Sequence, residues 1–356
     1  MKVIKIEKDQ IDDELLAQAA RLIREGGLVA FPTETVYGLG ANALDREAAK
    51  KIYAAKGRPS DNPLIVHIGK KEELEVLVKE VPEAGRRLMD AYWPGPLTLI
   101  FPKSGLVPDE TTGGLDTVAV RMPMDRIASC LIELAGVPIA APSANTSGRP
   151  SPTLAEHVYQ DMDGRIDLLI DGGPVGIGVE STIVDVSGPV PVLLRPGAVT
   201  MEMLEAVIGK LDTDQAVLGP VSDKVKPKAP GMKYRHYAPR AQMILVEKGL
   251  ETRETVTETI NRLAAEKMNQ GFRVGIICTE ETFDQYPKGM VKSLGLRSKE
   301  ETIAHNLFAV LREFDDLEAD YIYSECFPES HLGQAIMNRL SKAAGYHMIH
   351  TGEDRE

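Results

Sequence analysis

Between residues 211 and 240 the chain loses every pattern that would let it build a packed element. The stretch LDTDQAVLGPVSDKVKPKAPGMKYRHYAPR holds Pro220, Pro227, Pro230 and Pro239 and has no apolar periodicity. Proline fixes φ and removes a backbone donor, so four of them in thirty positions disfavour both helix and central strand. A chain broken in this way folds as two bodies with an extended connection between them. The break also partitions the charge. Residues 1–210 carry 22 basic and 30 acidic side chains, residues 241–356 carry 13 and 20, and the stretch between carries 6 and 3. The expected organisation is a first domain over 1–210, a basic, proline-rich linker or lid over 211–240, and a C-terminal α/β domain over 241–356. That agrees with what 356 residues allow at about 150 per domain.

Charge and cysteine exclude several classes. The net charge of −12 does not form the electrostatic footprint of a tight nucleic-acid binder. No apolar run approaches the roughly 18–20 residues of a membrane-crossing helix, so no membrane association is expected. The opening MKVIKIEKDQIDDELL is too charged for a signal peptide. Cys130, Cys278 and Cys326 are far apart, odd in number and without a C-x-x-C or a histidine at ligand spacing. That excludes a disulfide framework and a cysteine zinc site, and it fits the reducing cytoplasm.

The first block alternates helix and strand signals. Ile11, Leu15, Leu16, Ala19, Leu22 and Ile23 make one helical stripe that stops at Gly26-Gly27. LVAFPT, PLIVHI, LTLIFPK, TVAVRMP, VPIAAPSA, DLLIDGG, STIVDVS and PVLLRPG read as strands. REAAKKIYAAKG, the region around LEVLVKE, RIASCLIELAG and a segment from about Leu154 read as helices. These strands lie too close together for a simple βαβ series, which predicts an α/β domain with a twisted mixed sheet. In the last block AQMILVE, RVGIICTE, VKSLGL and YIYSE alternate with helices near 252–269, 300–316 and 332–344. That is a small, Rossmann-like, doubly wound α/β domain, without the G-x-G-x-x-G of a dinucleotide site.

Four polar clusters fall at strand ends and loops of the first block, where binding groups belong. FPTETVYGLG puts Thr33, Thr35, Glu34 and Tyr37 between an apolar strand and two glycines, a turn able to hold a zwitterion or a phosphate. The same residues would serve an ordinary strand–turn–helix junction. KGRPSDNPLIVHI sets Lys56 and Arg58 one glycine apart, two cations suited to an anion with several oxygens. It could equally be a solvated basic turn, and His67 within its strand a satisfied core histidine. APSANTSGRPSPT crowds Ser143, Asn145, Thr146, Ser147 and Ser151 around Gly148, apt for phosphate and ribose oxygens but unlike a Walker loop. In GVESTIVDV and LLRPG, Glu180, Ser181 and Thr182 open one strand and Arg195 closes the next. No Ser-His-Asp order, H-E-x-x-H or paired catalytic carboxylates occur. Chemistry here would depend on positioning and charge neutralisation, as in adenylyl and phosphoryl transfer.

In order along the chain, PTETVYGLG, KGRPSDNPL, SAN followed by GRPSPT, ESTIVD and LLRPG resemble the YrdC-like family. APGMKYRHYAP and the α/β tail are similar to its longer, two-domain form. The resemblance implies a nucleotidyltransferase that makes L-threonylcarbamoyl-AMP and pyrophosphate from L-threonine, bicarbonate or CO2, and ATP. That product supplies N6-threonylcarbamoyladenosine in ANN-decoding tRNAs. It implies Lys56 and Arg58 as catalytic cations. It implies Arg58, Asn62, Thr117, Ser143, Asn145, Ser151 and Arg195 for ATP, with Tyr237, or else Tyr234, closing over the nucleotide. Thr35, His67, Arg121, Ser181 and the backbone at Ala141 would hold L-threonine. Mg2+ would come with ATP, held largely by its phosphates, and the functional partner would be the tRNA threonylcarbamoyl-transferase machinery. A tRNA- or double-stranded-RNA-binding module is the rival reading, which the acidic charge disfavours. Carbamoyl transfer, as in larger relatives, is a third, disfavoured by the cysteine count.

Overall fold

The computed structural model describes residues 1–219, 227–232, 236–250 and 252–352. They form two compact units. The first is Met1–Ser147 with Ser151–Tyr234, and the second is Gly148–Pro150 with Arg235–Glu356.

The first unit is built on eleven strands among the described residues. They are β1 (Lys2–Lys5), β2 (Val29–Phe31), β3 (Gly38–Asn42), β4 (Ile65–His67), β5 (Leu97–Pro102), β6 (Thr117–Arg121), β7 (Ile139–Ala140), β8 (Leu168–Asp171), β9 (Thr182–Asp185), β10 (Val192–Arg195) and β11 (Asp212–Thr213). Their order is β1-β8-β2-β3-β7-β4-β6-β5-β9-β10-β11. The sheet is mixed: β4 and β6 run parallel, whereas β5 and β6 run antiparallel. Side chains alternate faces along a strand, and here both faces are covered. Val29 and Phe31 join one apolar cluster with Leu16, Ile23 and Leu131, while Ala30 between them joins another with Ile52 and Leu169. A sheet covered twice explains why its strands read as nearly continuous apolar runs.

Helix ends follow local chemistry. Asp12 accepts from the backbone N–H groups of Glu14 and Leu15 and starts the helix Asp13–Arg24. Asp45 does the same for Glu47 and Ala48 at the head of Arg46–Lys56, which Gly57 ends in the left-handed region at φ +61.

The second unit contains β12 (Gln242–Glu247), β13 (Val274–Cys278), β14 (Met290–Ser293), β15 (Tyr321–Glu325) and β16 (Met348–His350), in the order β14-β13-β15-β12-β16. Every pairing is parallel, as the alternation of strands and helices predicts. The helices are Val256–Asn269, Glu300–Asp316 and Gly333–Ala343. The first opens on a reciprocal capping box of Thr255 and Glu258.

Two features differ from the sequence reading. The glycines of YGLG do not form a turn; they sit in strand β3, antiparallel to β2. A Cβ on Gly40 would lie 2.6 Å from a Phe31 ring carbon, so glycine is there for close approach and not for a bend. The stretch 211–240 is not extended throughout. β11 pairs with β10, the short helix Gln215–Leu218 comes next, and Ala216, Ala229 and Met232 join a core cluster with Ile65, Ile100, Ala119, Ile183 and Leu194. Three isolated apolar residues leave no period to read, which is why the sequence hides them.

Candidate active site

Lys56 and Arg58 stand on either side of the left-handed Gly57. Lys56 is 1% exposed, and its ammonium donates to the backbone carbonyls of Ser143 and Asn145. Ser143 in turn bridges to Gly38 of β3. The lysine is therefore no solvated surface charge but the pin of the SAN loop. Arg58 is buried too, donating from Nε to the Asn62 carbonyl at 3.2 Å and from Nη2 to that of Pro63 at 3.0 Å. Asn62 is buried, and its side-chain oxygen has no hydrogen-bond partner. Asn62 lies three residues before β4, and Thr117 opens β6.

The other ends of those two strands hold a second group. His67 and Arg121 are register partners across β4 and β6, and Thr98 of β5 is the partner of Arg121 on its far side. From Thr117 to Arg121 is four residues, about 13 Å at the usual rise of a strand. Arg121 donates to the Thr35 hydroxyl at 2.9 Å and to the Gly95 carbonyl at 3.3 Å. Its Nη2 also lies 2.7 Å from Glu34 Oε1, an ion contact not aligned as a hydrogen bond. Thr33 and Thr35 share a hydroxyl contact at 2.9 Å. The His67 imidazole is pushed down to about 3, first by burial and then by the charge of Arg121. It is neutral at physiological pH, with Nδ1 3.2 Å from the Ile65 carbonyl. Ala141 donates its N–H to the same carbonyl, fixing the backbone where β7 leads into the SAN loop.

Thr98, the register partner of Arg121, belongs to a separate polar group. Its hydroxyl lies 2.8 Å from that of Ser181, and Ser181 accepts from Arg195 Nη2 at 3.1 Å. Arg195 Nε holds the Ser181 carbonyl at 2.9 Å. Gly197 makes this approach possible: a Cβ there would stand 2.5 Å from the Thr182 nitrogen. Next to Ser181, the buried Glu180 carboxylate accepts from Ser151 Oγ at 2.5 Å.

Thr35 and Arg121 thus share one polar group, with His67 as a register partner of Arg121, and Ser181, Thr98 and Arg195 share a second one strand away. Lys56, Ser143 and Asn145 form a third, and Arg58 and Asn62 a fourth. Thr33 and Glu34 lie with Thr35 and Arg121, Thr98 with Ser181 and Glu180 with Ser151, although the resemblance names none of these four as a ligand-binding residue. Thr98 carried one usable signal, as the lone polar residue in LTLIFP. The middle of the SAN-GRP loop behaves differently. Gly148–Pro150 folds with the second unit, where Arg312 donates to the Pro150 carbonyl at 2.7 Å and Arg149 pairs with Asp315 at 3.3 Å. Tyr237 is also in that unit, buried at φ +64 with its ring 5.1 Å from that of Phe308. Tyr234 lies outside the described residues.

Similarity to known proteins covers both units. A family model described as "Telomere recombination" matches residues 21–197, and one described as "Threonylcarbamoyl-AMP synthase, C-terminal domain" matches 199–345. The chain is 52% identical over 339 residues to a threonylcarbamoyl-AMP synthase of Bacillus subtilis (strain 168), covering 95% of each. It is 52% identical over 349 residues to that of Pyrococcus abyssi, covering 98% of this chain and 99% of the other. The crystal structure of P. abyssi Sua5 complexed with L-threonine matches with a TM-score of 0.92 at 51% identity, over 99% of this chain and all of that one.

Proposed function

The chain belongs to the threonylcarbamoyl-AMP synthase family, and on that premise we propose that it condenses L-threonine, bicarbonate or CO2, and ATP into L-threonylcarbamoyl-AMP with release of pyrophosphate. The observation that carries the reading is a pair of buried polar groups on neighbouring strands, Arg121 with Thr35 and Thr98 with Ser181 and Arg195, beside a neutral His67. It offers fixed cations and hydroxyls, but no protein nucleophile, to a small polar substrate. L-Threonine would sit at the carboxyl ends of β4 and β6, its carboxylate toward Arg121. ATP would lie toward their amino ends, along Asn62, Thr117, Arg58 and the Lys56-pinned loop of Ser143 and Asn145.

The chemistry accords with that order. Once the threonine ammonium has given a proton to solvent, its amine attacks the carbon of CO2, losing a second proton as the carbamate forms, and a carbamate oxygen attacks the α-phosphorus while pyrophosphate leaves. Lys56 and Arg58 act as preorganised charges for the phosphate oxygens, since their positions are held before substrate arrives. Mg2+ entering with ATP would share in offsetting the polyphosphate charge. The described residues include no group of three or more His, Cys, Asp or Glu able to ligate it, and such a hard cation is readily held through substrate phosphates and water. A carbamate hydrolyses readily, so burial of the site serves the chemistry by excluding water. The product is an activated acyl phosphate that a tRNA-directed transferase would consume, in the cytoplasm.

Purified protein with Mg2+ and ATP should release pyrophosphate only when both threonine and bicarbonate are present, with threonylcarbamoyl-AMP visible by mass spectrometry. Release that ignores threonine, or none at all, refutes the proposal.

A further inference from the structure

The second unit holds a cleft of about 490 Å³ at the carboxyl ends of β12 and β15, parallel neighbours in its sheet. Topology makes the opening. β12 connects to β13 by crossing β15, and β15 connects to β16 by crossing β12. Right-handed crossovers then send the helices Val256–Asn269 and Gly333–Ala343 to opposite faces of the sheet. The loops that follow β12 and β15 therefore part, and the crevice between such loops is where open α/β sheets take their ligands.

Residues from three loops fix one guanidinium at this cleft. Glu325, at the end of β15, is 2% exposed and accepts from Thr282 Oγ1 at 2.5 Å, from Tyr286 OH at 2.7 Å and from Arg297 Nη2. Arg297 also donates from Nη1 to the Cys326 carbonyl at 3.0 Å, and its Cζ lies 5.1 Å from the centre of the Phe327 ring. Glu281 holds its backbone N–H at 2.9 Å. Burying a carboxylate to hold an arginine is a poor source of stability, and this arginine side chain remains 37% exposed. Two of its five N–H donors are used, and three remain for a ligand. Val256 and Thr257 also line the cleft, and their N–H groups open a fourteen-residue helix without an intrahelical acceptor. The charges that line it balance, Lys248 and Arg297 against Glu247 and Glu325. Donor geometry, not net charge, must therefore select the ligand.

We propose that this cleft binds a phosphomonoester, its phosphate taken by the free N–H groups of Arg297, Val256 and Thr257 and its organic part by the apolar wall of Val256, Phe327 and Pro328. Several donors from two elements suit the terminal oxygens of a phosphate. The volume favours an organic phosphate over the bare ion, since small-molecule clefts span about 300–1,000 Å³. The loop after β12 lacks the G-x-G-x-x-G that lets a pyrophosphate approach, so a single phosphate is the match. The site lies wholly within the second unit and does not rest on the proposed function.

Hydrogen exchange on the full chain, with AMP as the probe, gives a local readout. At ten times the half-saturating AMP concentration, exchange in peptides spanning 252–258 and 325–330 should slow about tenfold. Inorganic phosphate at the same concentration should slow it less. Thr257→Glu adds a carboxylate to the cleft while an acid in the first turn keeps the helix stable. It should abolish the slowing in both peptides and leave pyrophosphate release from ATP as in wild type. Glu247→Gln removes an opposing charge and should lower the half-saturating AMP about threefold. No slowing in wild type, equal slowing by inorganic phosphate, or slowing that survives Thr257→Glu overturns the proposal. So does a half-saturating AMP that Glu247→Gln leaves unchanged or raises.

Discussion

Burial and the adjacent Arg121 push the His67 imidazole from an ordinary 6.5 down to about 3. The sign of the consequence is fixed. Above pH 6.5 the ring is neutral both folded and unfolded, so it contributes no pH dependence. Below 6.5 the unfolded chain binds a proton that the folded one refuses, and stability falls until the folded group titrates near 3. At about 1.4 kcal/mol per pH unit, this residue alone should cost about 2 kcal/mol between pH 6.5 and 5. Urea unfolding at the two pH values measures it, and His67→Gln should remove that part of the slope. An unchanged slope in the variant would place the acid sensitivity elsewhere. Lys56 gives a kinetic counterpart. Its ammonium is held by two backbone carbonyls before substrate binds, and removing one preorganised charge typically costs about 3 kcal/mol of barrier. Lys56→Ala should therefore lower kcat about 100-fold; pyrophosphate release within threefold of wild type would remove the lysine from catalysis. Lys56 stood out in the sequence as one of two cations flanking a glycine, whereas His67 read as a histidine inside an apolar strand, and the roles of both came from the family resemblance. Glu34 drew notice only as one residue of its turn, since the pairing that makes it unusual is with Arg121, 87 positions away.

At the scale of elements, what the sequence revealed depended on period. The helices of the second unit were readable because long amphipathic segments alternate with four apolar strands at regular spacing. β16 was not, being three residues of which only Ile349 is buried. The helix Glu83–Tyr92 was missed because its buried stripe is short and starts on a glycine, with Gly85, Leu88 and Met89 as its buried residues. β3 was hidden for the opposite reason: its glycines signal a turn, whereas the structure uses them where Phe31 and Ile139 leave no room for a side chain. That assignment can be tested. Gly40→Ala would force a methyl to within 2.6 Å of Phe31 and 2.8 Å of Ile139, and overpacking of this kind costs about 1–3 kcal/mol. A variant as stable as wild type in urea would mean that the hairpin yields easily. If β3 shifts, Gly38 shifts with it, and its bridge to Ser143 links that movement to the loop pinned by Lys56.

The whole chain was legible as two bodies, and the place where the first one ends was not. Composition put that end near residue 210, because prolines and lysines dominate the next thirty positions. Yet Ala229 and Met232 are buried with Ile65, Ile100 and Leu194, and Arg195 reaches the Pro230 carbonyl at 3.4 Å. The basic stretch is therefore partly core, and its short apolar islands close the sheet around the arginine that holds Ser181. A chain ending at residue 218 should then be less stable than one ending at 232. Burying one methionine and one alanine side chain accounts for about 2–3 kcal/mol. Both chains lack the residues that surround Gly148–Pro150 in the second unit, so that loss cancels in the comparison. Urea unfolding should separate their midpoints in favour of the longer chain, with threonine affinity following the same order because Ser181 is steadied by Arg195. Coincident midpoints would mean that residues 229–232 add nothing to the first unit, and would restore the boundary near residue 210.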